Sequence, residues 1–124
     1  MVTTYEWIYS DDNGESHFET VEVSFQEVDY APPANPMFVS ELEDATRFGF
    51  VSAPPGPLGE WHPTPMAQYM IVVSGECEVT VSDGTKRQFT AGQTVLLADQ
   101  TGKGHYTEIV SKEPLVVAVV HLPG

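Results

Sequence analysis

Short runs of β-branched and aromatic residues alternate with polar residues along almost the whole chain of 124 residues. A period of two is typical of β-strands that bury one face. Glycine, proline, asparagine and aspartate interrupt the runs and mark the turns between them. We find no segment with the spacing of a helix, so the pattern predicts an all-β protein. The predicted strands are 4–10, 16–28, 37–41, 46–53, 67–74, 76–82, 86–90, 94–98, 105–111 and 115–122.

The N-terminal part of the chain is predicted to form a β-hairpin arm. Two strand-like runs flank the turn sequence Asp-Asp-Asn-Gly at 11–14, and a proline-rich passage follows at 31–36. Proline cannot donate to a regular strand ladder, so this passage is predicted to be a loop. A chain of this length holds one core. We therefore expect one domain, with an arm at 1–36 and a β-barrel or sandwich at 37–124.

Acidic side chains dominate the charge of the protein. There are 18 Asp and Glu residues against 5 Lys and Arg residues, which gives a formal net charge of -13. This charge repels nucleic acid and anionic membrane surfaces, so neither is an expected partner. No apolar stretch reaches the roughly 20 residues of a transmembrane helix, and the N-terminus lacks a signal-peptide profile. With a single cysteine and no intrachain disulfide, the protein is expected in the cytoplasm.

One motif carries most of the chemical information. Gly56, His62, Thr64, Gln68 and Gly75 follow one another with intervals of five, one, three and six residues. On a β-strand, side chains two residues apart share a face. His62 and Thr64 therefore point the same way, and Gln68 is expected to look into the barrel.

A second motif contains Gly92 and His105. Together the two motifs resemble the paired signature of the cupin superfamily, small β-barrels of the jelly-roll or double-stranded β-helix type. The resemblance extends over about residues 56–120. The chain is also similar to small single-domain bacterial cupins that carry His-Pro-Thr-Pro and Thr-Gly-Lys-Gly-His segments. Where the common pattern has two histidines and a glutamate, this chain has His62, Thr64 and Gln68.

The resemblance implies a metal site inside the barrel. The expected ligands of a divalent iron, manganese, zinc or nickel ion are His62, Gln68 and His105. Two neutral imidazoles and an amide oxygen form a weak site, because none of them carries negative charge. The alternative is that these side chains are hydrogen-bonded to one another and hold no metal.

Other polar and apolar residues on the same faces are expected to contact a ligand. Thr64, Met70 and Thr107 are the expected ligand-binding residues, because Met70 shares a face with Gln68 and Thr107 shares one with His105. Glu60 lies two residues before His62 and is a candidate acid or base at the barrel mouth. The competing interpretation of Glu60 is an exposed loop glutamate.

The cupin resemblance leaves several functions open, because one barrel serves many activities. The first hypothesis is a small-molecule-binding protein that holds a divalent metal in the barrel. Under this hypothesis the metal could assist chemistry on a small organic acid, in a reaction of the dioxygenase, isomerase or lyase type. The second is a metal-free ligand-binding or sensing protein without catalytic activity. The third is an interaction protein that pairs through its N-terminal hairpin. Cupins commonly add or exchange N-terminal strands between subunits, so the resemblance also implies a homodimer.

Overall fold

The computed structural model describes residues 2–124, and within this range it contains strands and no helix. The prediction of an all-β protein is confirmed. No helix among these residues is long and apolar enough to cross a membrane. The strands are β1 (Thr4–Ser10), β2 (Ser16–Glu22), β3 (Gln26–Val28), β4 (Met37–Val39), β5 (Arg47–Ala53), β6 (Gly56–Pro57), β7 (Gln68–Ser74), β8 (Cys77–Val81), β9 (Lys86–Phe89), β10 (Thr94–Leu97), β11 (His105–Ile109) and β12 (Leu115–His121).

Two sheets enclose the core of the molecule. The larger sheet has the strand order β2-β1-β10-β7-β12-β5, and the smaller has the order β6-β11-β8-β9. β1 and β10 are parallel, whereas the other neighbours in these sheets are antiparallel. Burial alternates along β8 and β11, as expected for strands with one face on the core. The core consists of Ile8, Ala53, Val72, Cys77, Val79, Val81, Phe89, Val95, Leu97, Ile109, Leu115, Val117 and Val119.

The N-terminal hairpin of β1 and β2 is part of the larger sheet. β1 pairs with β10, and Ile8, opposite Leu97 in this pairing, is fully buried. The single strand predicted at 16–28 is divided in the structure. β2 ends at Glu22 because that residue pairs with Thr4, where β1 begins. The chain then leaves the sheet, and β3 pairs only with β4.

Candidate ligand site

The loop that precedes His105 is held by the N-terminal hairpin. The fully buried Ser16 donates a hydrogen bond from Oγ to the carbonyl of Gly104 at 2.6 Å. The backbone N–H of Lys103 donates to the carbonyl of Gly14 at 2.9 Å. The Ser10 hydroxyl donates to the Thr101 carbonyl at 2.7 Å. These bonds hold the loop against the N-terminal hairpin and thereby set the direction in which β11 begins.

His62 and His105 are brought together by their backbones. The N–H of each donates to the carbonyl of the other, at 3.1 and 3.0 Å. Gly104 makes this approach possible. Its φ is +74°, and a Cβ on it would lie 2.2 Å from the carbonyl carbon of His62. Only glycine fits there without displacing the backbone of the neighbouring segment.

The two imidazole rings are close and similarly anchored. Their centroids lie 5.0 Å apart. Nδ1 of His62 lies 2.8 Å from the carbonyl oxygen of Glu60, and Nδ1 of His105 lies 2.7 Å from Oδ2 of Asp99. A carbonyl only accepts hydrogen bonds, so His62 carries its proton on Nδ1, and the Asp99 carboxylate favours the same arrangement at His105. In the neutral imidazoles, each Nε2 therefore presents a lone pair.

Thr64 orients the side chain of Gln68. The Thr64 hydroxyl donates to the carbonyl of Met66 at 2.7 Å and accepts from Nε2 of Gln68 at 3.1 Å. Because the hydroxyl proton of Thr64 is already used, the amide of Gln68 turns its nitrogen towards Thr64. Its Oε1 atom points away from this contact. Thr64, where the cupin pattern has a histidine, therefore holds the neighbouring glutamine in one orientation.

These side chains line one cavity of about 190 Å³. Three of its lining residues, Val51, Leu58 and Pro65, are exposed to solvent and mark where the cavity opens. The polar lining residues are two imidazoles, one amide and two hydroxyls, whereas the other lining residues are apolar or cysteine. The complete lining consists of Val51, Leu58, His62, Thr64, Pro65, Gln68, Met70, Val72, Cys77, Val79, Phe89, Val95, Leu97, His105, Thr107, Leu115, Val117 and Val119.

The structure brings together six of the seven residues that the sequence indicated. His62, Thr64, Gln68, Met70, His105 and Thr107 all line the cavity. Glu60 does not line it, and its side chain is exposed. Glu60 contributes to the site only through its backbone carbonyl, which accepts a hydrogen bond from Nδ1 of His62.

Asp99 is a site residue that the sequence reasoning missed. It is fully buried, and its carboxylate is bonded to the ring of His105. Its other oxygen, Oδ1, has no hydrogen-bond partner among the described residues. The available signal was a carboxylate at the start of the glycine-rich loop that leads to His105. The sequence could not show that this loop folds back and buries Asp99.

The chemistry of the remaining lining residues limits metal binding. Burial raises the pKa of the Cys77 thiol to about 11, so this cysteine is a neutral thiol at ordinary pH. Among residues 2–124, no three His, Cys, Asp or Glu side chains are grouped so that they could hold a metal ion. Any metal site in the cavity therefore depends on the amide oxygen of Gln68 in addition to the two imidazoles.

Comparison with known proteins identifies the family. The cupin domain model matches residues 49–121, which is more than half of the chain. The chain belongs to the cupin domain family. The matched region contains all the cavity-lining residues, and the cupin jelly-roll fold expected from the two motifs is confirmed. No curated protein sequence matches this cupin.

One solved structure shows the same fold, and a second is similar in sequence. The Cnp3 cupin domain of Schizosaccharomyces pombe is 15% identical in sequence, with a TM-score of 0.50, and the match covers 99% of this chain and 84% of that one. The cupin domain of an XRE family transcriptional regulator from Enterobacter cloacae is 29% identical, with a TM-score of 0.45. That match covers 62% of this chain and 83% of the other.

Proposed function

We propose that this cupin binds a small organic molecule inside its barrel, with the polar group of the ligand beside His62 and His105. The observation that carries the proposal is the 190 Å³ cavity, which has an apolar wall and a few converging polar groups. Binding sites for small molecules commonly have this composition, because apolar contact supplies affinity and a few polar groups fix orientation. The family membership supports small-molecule binding in general.

A cavity-filling variant tests this proposal. Val79 lines the cavity and is buried, so Val79→Phe would place a larger side chain in the proposed ligand space. A library of small ring compounds and small organic acids is screened by ligand-observed NMR against the wild type and this variant. We expect a subset to bind the wild type and to lose binding to Val79→Phe. The exposed Val110 provides the matched control, Val110→Phe, which should bind the same subset.

Two outcomes of the screen would contradict the proposal. The first is the absence of any binding to the wild type. The second is binding that persists undiminished in a folded Val79→Phe protein, since the compounds would then occupy another surface. Thermal unfolding of each variant establishes that it is folded at the temperature of the screen.

The second candidate is binding of a divalent metal ion at the same end of the cavity. The observation that favours it is the anchoring of both histidines. Metal-binding histidines usually donate their other ring N–H to a carboxylate or a carbonyl oxygen, as His62 and His105 do here. The ligands would be Nε2 of the two histidines and Oε1 of Gln68. An iron, manganese, zinc or nickel ion would supply Lewis-acid chemistry and a positive partner for a small organic acid.

Elemental mass spectrometry of untagged protein tests metal binding. Under this second candidate the wild type contains near one ion per chain, and both His62→Ala and His105→Ala lose it. His17 lies outside the cavity, so His17→Ala is the matched control and keeps the ion. Wild-type protein that stays free of metal after incubation with iron, manganese, nickel and zinc would rule this candidate out.

A further inference from the structure

The free hydrogen-bonding atoms at the polar end of the cavity are mostly acceptors. His62 and His105 use Nδ1 for the Glu60 carbonyl and the Asp99 carboxylate, which leaves two Nε2 lone pairs. Gln68 donates one of its two amide N–H groups to Thr64, which leaves the acceptor Oε1 and one N–H. With both imidazoles neutral and the Asp99 carboxylate bonded to His105, this end of the cavity lacks the cationic or multiple N–H donors that a carboxylate requires.

The free imidazole nitrogen of His105 is in contact with open space. In residues 2–124, two buried side-chain atoms have no hydrogen-bond partner, namely Glu6 Oε1 and Asp99 Oδ1. Nε2 of His105 also has no partner but is not one of these buried atoms, so it is in contact with open space. His105 is itself only 4% exposed and lines the cavity. The space that its Nε2 reaches is therefore the cavity.

Thr107 supplies a group of a different kind on the same strand. It lies two residues after His105 on β11, lines the cavity, and is buried. Its hydroxyl both donates and accepts. A hydroxyl group on a ligand matches this set, because its O–H can donate to an imidazole Nε2 while its oxygen accepts from Thr107.

The size of the cavity sets the size of the apolar part. An engineered protein cavity of about 150 Å³ with an apolar lining binds benzene. The cavity of this cupin is about 190 Å³, and its wall includes Met70, Val79, Phe89, Leu97 and Val117. One six-membered ring with a small substituent fits this volume, whereas two fused rings with further substituents exceed it.

We infer that the ligand class of this cupin is a compact apolar molecule of about one ring that carries a hydroxyl group, such as a phenol or a cyclic alcohol. The inference rests on the proposed function and names the ligand class for the same cavity. The ring occupies the apolar wall, and the hydroxyl donates to His62 or His105.

Calorimetric titration of chelator-treated protein with three matched probes tests the inference. Phenol, toluene and benzoate share one ring and differ in the group it carries. We expect phenol to bind the wild type about tenfold more tightly than toluene, the effect of one net hydrogen bond. Benzoate should bind more weakly than phenol, because most of the free hydrogen-bonding atoms at this end of the cavity are acceptors.

Two variants locate the hydrogen bond. His62→Leu and His105→Leu each remove one acceptor and keep an apolar wall, so the variant that loses the partner of the hydroxyl should lower the affinity for phenol about tenfold and leave the affinity for toluene equal or higher. The comparison of the three probes on the wild type needs neither variant.

The outcomes separate this inference from the function on which it rests. Equal binding of phenol and toluene, or tighter binding of benzoate, would overturn the hydroxyl class while leaving a ligand-binding cavity. Binding of none of the three probes would overturn the inference. If the broader screen against Val79→Phe also found no ligand, the proposed function would fail with it.

Discussion

Gly104 is the residue on which the geometry of the two imidazoles depends most directly. Its carbonyl accepts from Ser16, and its α-carbon faces the backbone of His62. Both contacts act on the residue immediately before His105. A side chain at this position would separate the two β-bridged histidines.

We predict that Gly104→Ala destabilises the protein far more than Gly84→Ala. Both glycines have a positive φ, at +74° and +94°, but a Cβ at Gly84 meets nothing within 4 Å. Gly84→Ala should therefore cost only the backbone strain, about 1–2 kcal/mol. Gly104→Ala adds a backbone clash and should exceed about 4 kcal/mol. Urea unfolding of the two variants measures the difference, and similar losses would contradict the described approach of Gly104 to His62.

The predictability of the site differs between its residues for a physical reason. Gln68, Met70 and Val72 could be assigned to the cavity because a period of two holds along β7. Asp99 could not, because it lies in a loop whose path depends on contacts with a distant hairpin. A pattern of side chains contains no information about which backbone groups make hydrogen bonds, so the role of the Glu60 carbonyl at His62 could not be predicted from the sequence.

At the scale of elements, His17 is one of the residues that link the N-terminal hairpin to the turn between β8 and β9. Nε2 of His17 lies 2.7 Å from Oδ2 of Asp11, and its Nδ1 lies 2.9 Å from Oδ2 of Asp83. Hydrogen bonds to Asp11 and then to Asp83 raise the pKa of His17. The pKa of Asp11 is lowered mainly by its bond to His17, and that of Asp83 mainly by Thr85.

The sign of these shifts predicts a pH window for this contact. A raised histidine pKa stabilises the fold fully below the ordinary value of about 6.5, and the effect is lost as pH rises through the folded-state pKa. The lowered carboxyl pKa values stabilise the fold above their ordinary value of about 3.9, and that effect is lost as pH falls. The contact between His17 and both carboxylates is therefore strongest from about pH 4 to pH 6.5.

We predict that His17→Gln lowers the melting temperature most near pH 5.5 and less as pH rises towards 9. Glutamine keeps hydrogen-bonding capacity but cannot carry the charge that both carboxylates favour. Thermal unfolding of wild type and variant across this range measures the difference. A difference that is constant with pH, or that grows towards pH 9, would contradict the role of the charged imidazole.

The strand pattern predicted most elements because each strand has its own alternation. It failed at residues 16–28, where the alternation continues but the pairing partner changes after Glu22. Local pattern describes the faces of a strand and contains no information on which strand lies beside it. The short strand Gly56–Pro57 was missed for the same reason, since it exists only through its pairing with β11.

At the scale of the whole molecule, large apolar side chains are exposed along one part of the chain. Phe38, Leu42, Phe48 and Phe50 are 66–70% exposed, and the last two lie on β5, at the edge of the larger sheet. Exposed edge strands with apolar side chains favour pairing with another chain. The N-terminal hairpin, by contrast, already pairs with β10 within the same chain.

We predict a homodimer, and we expect the β5 edge to take part in it. Light scattering coupled to size-exclusion chromatography should give twice the chain mass of 13.6 kDa. A double variant, Phe48→Ser with Phe50→Ser, should give the monomer mass, whereas Val110→Ser, on a different exposed segment, should remain dimeric. A monomeric wild type would contradict the dimer, and an unchanged double variant would move the interface away from β5.

The central claim is that the barrel cavity binds a small ligand whose polar group meets the two imidazoles. The most direct measurement is a crystal structure of the protein soaked with 4-bromophenol, because anomalous scattering locates the bromine without ambiguity. We predict a bromine inside the cavity and a phenol oxygen within hydrogen-bonding distance of Nε2 of His62 or His105. An anomalous signal only outside the barrel, with the cavity free of the compound, would contradict the account.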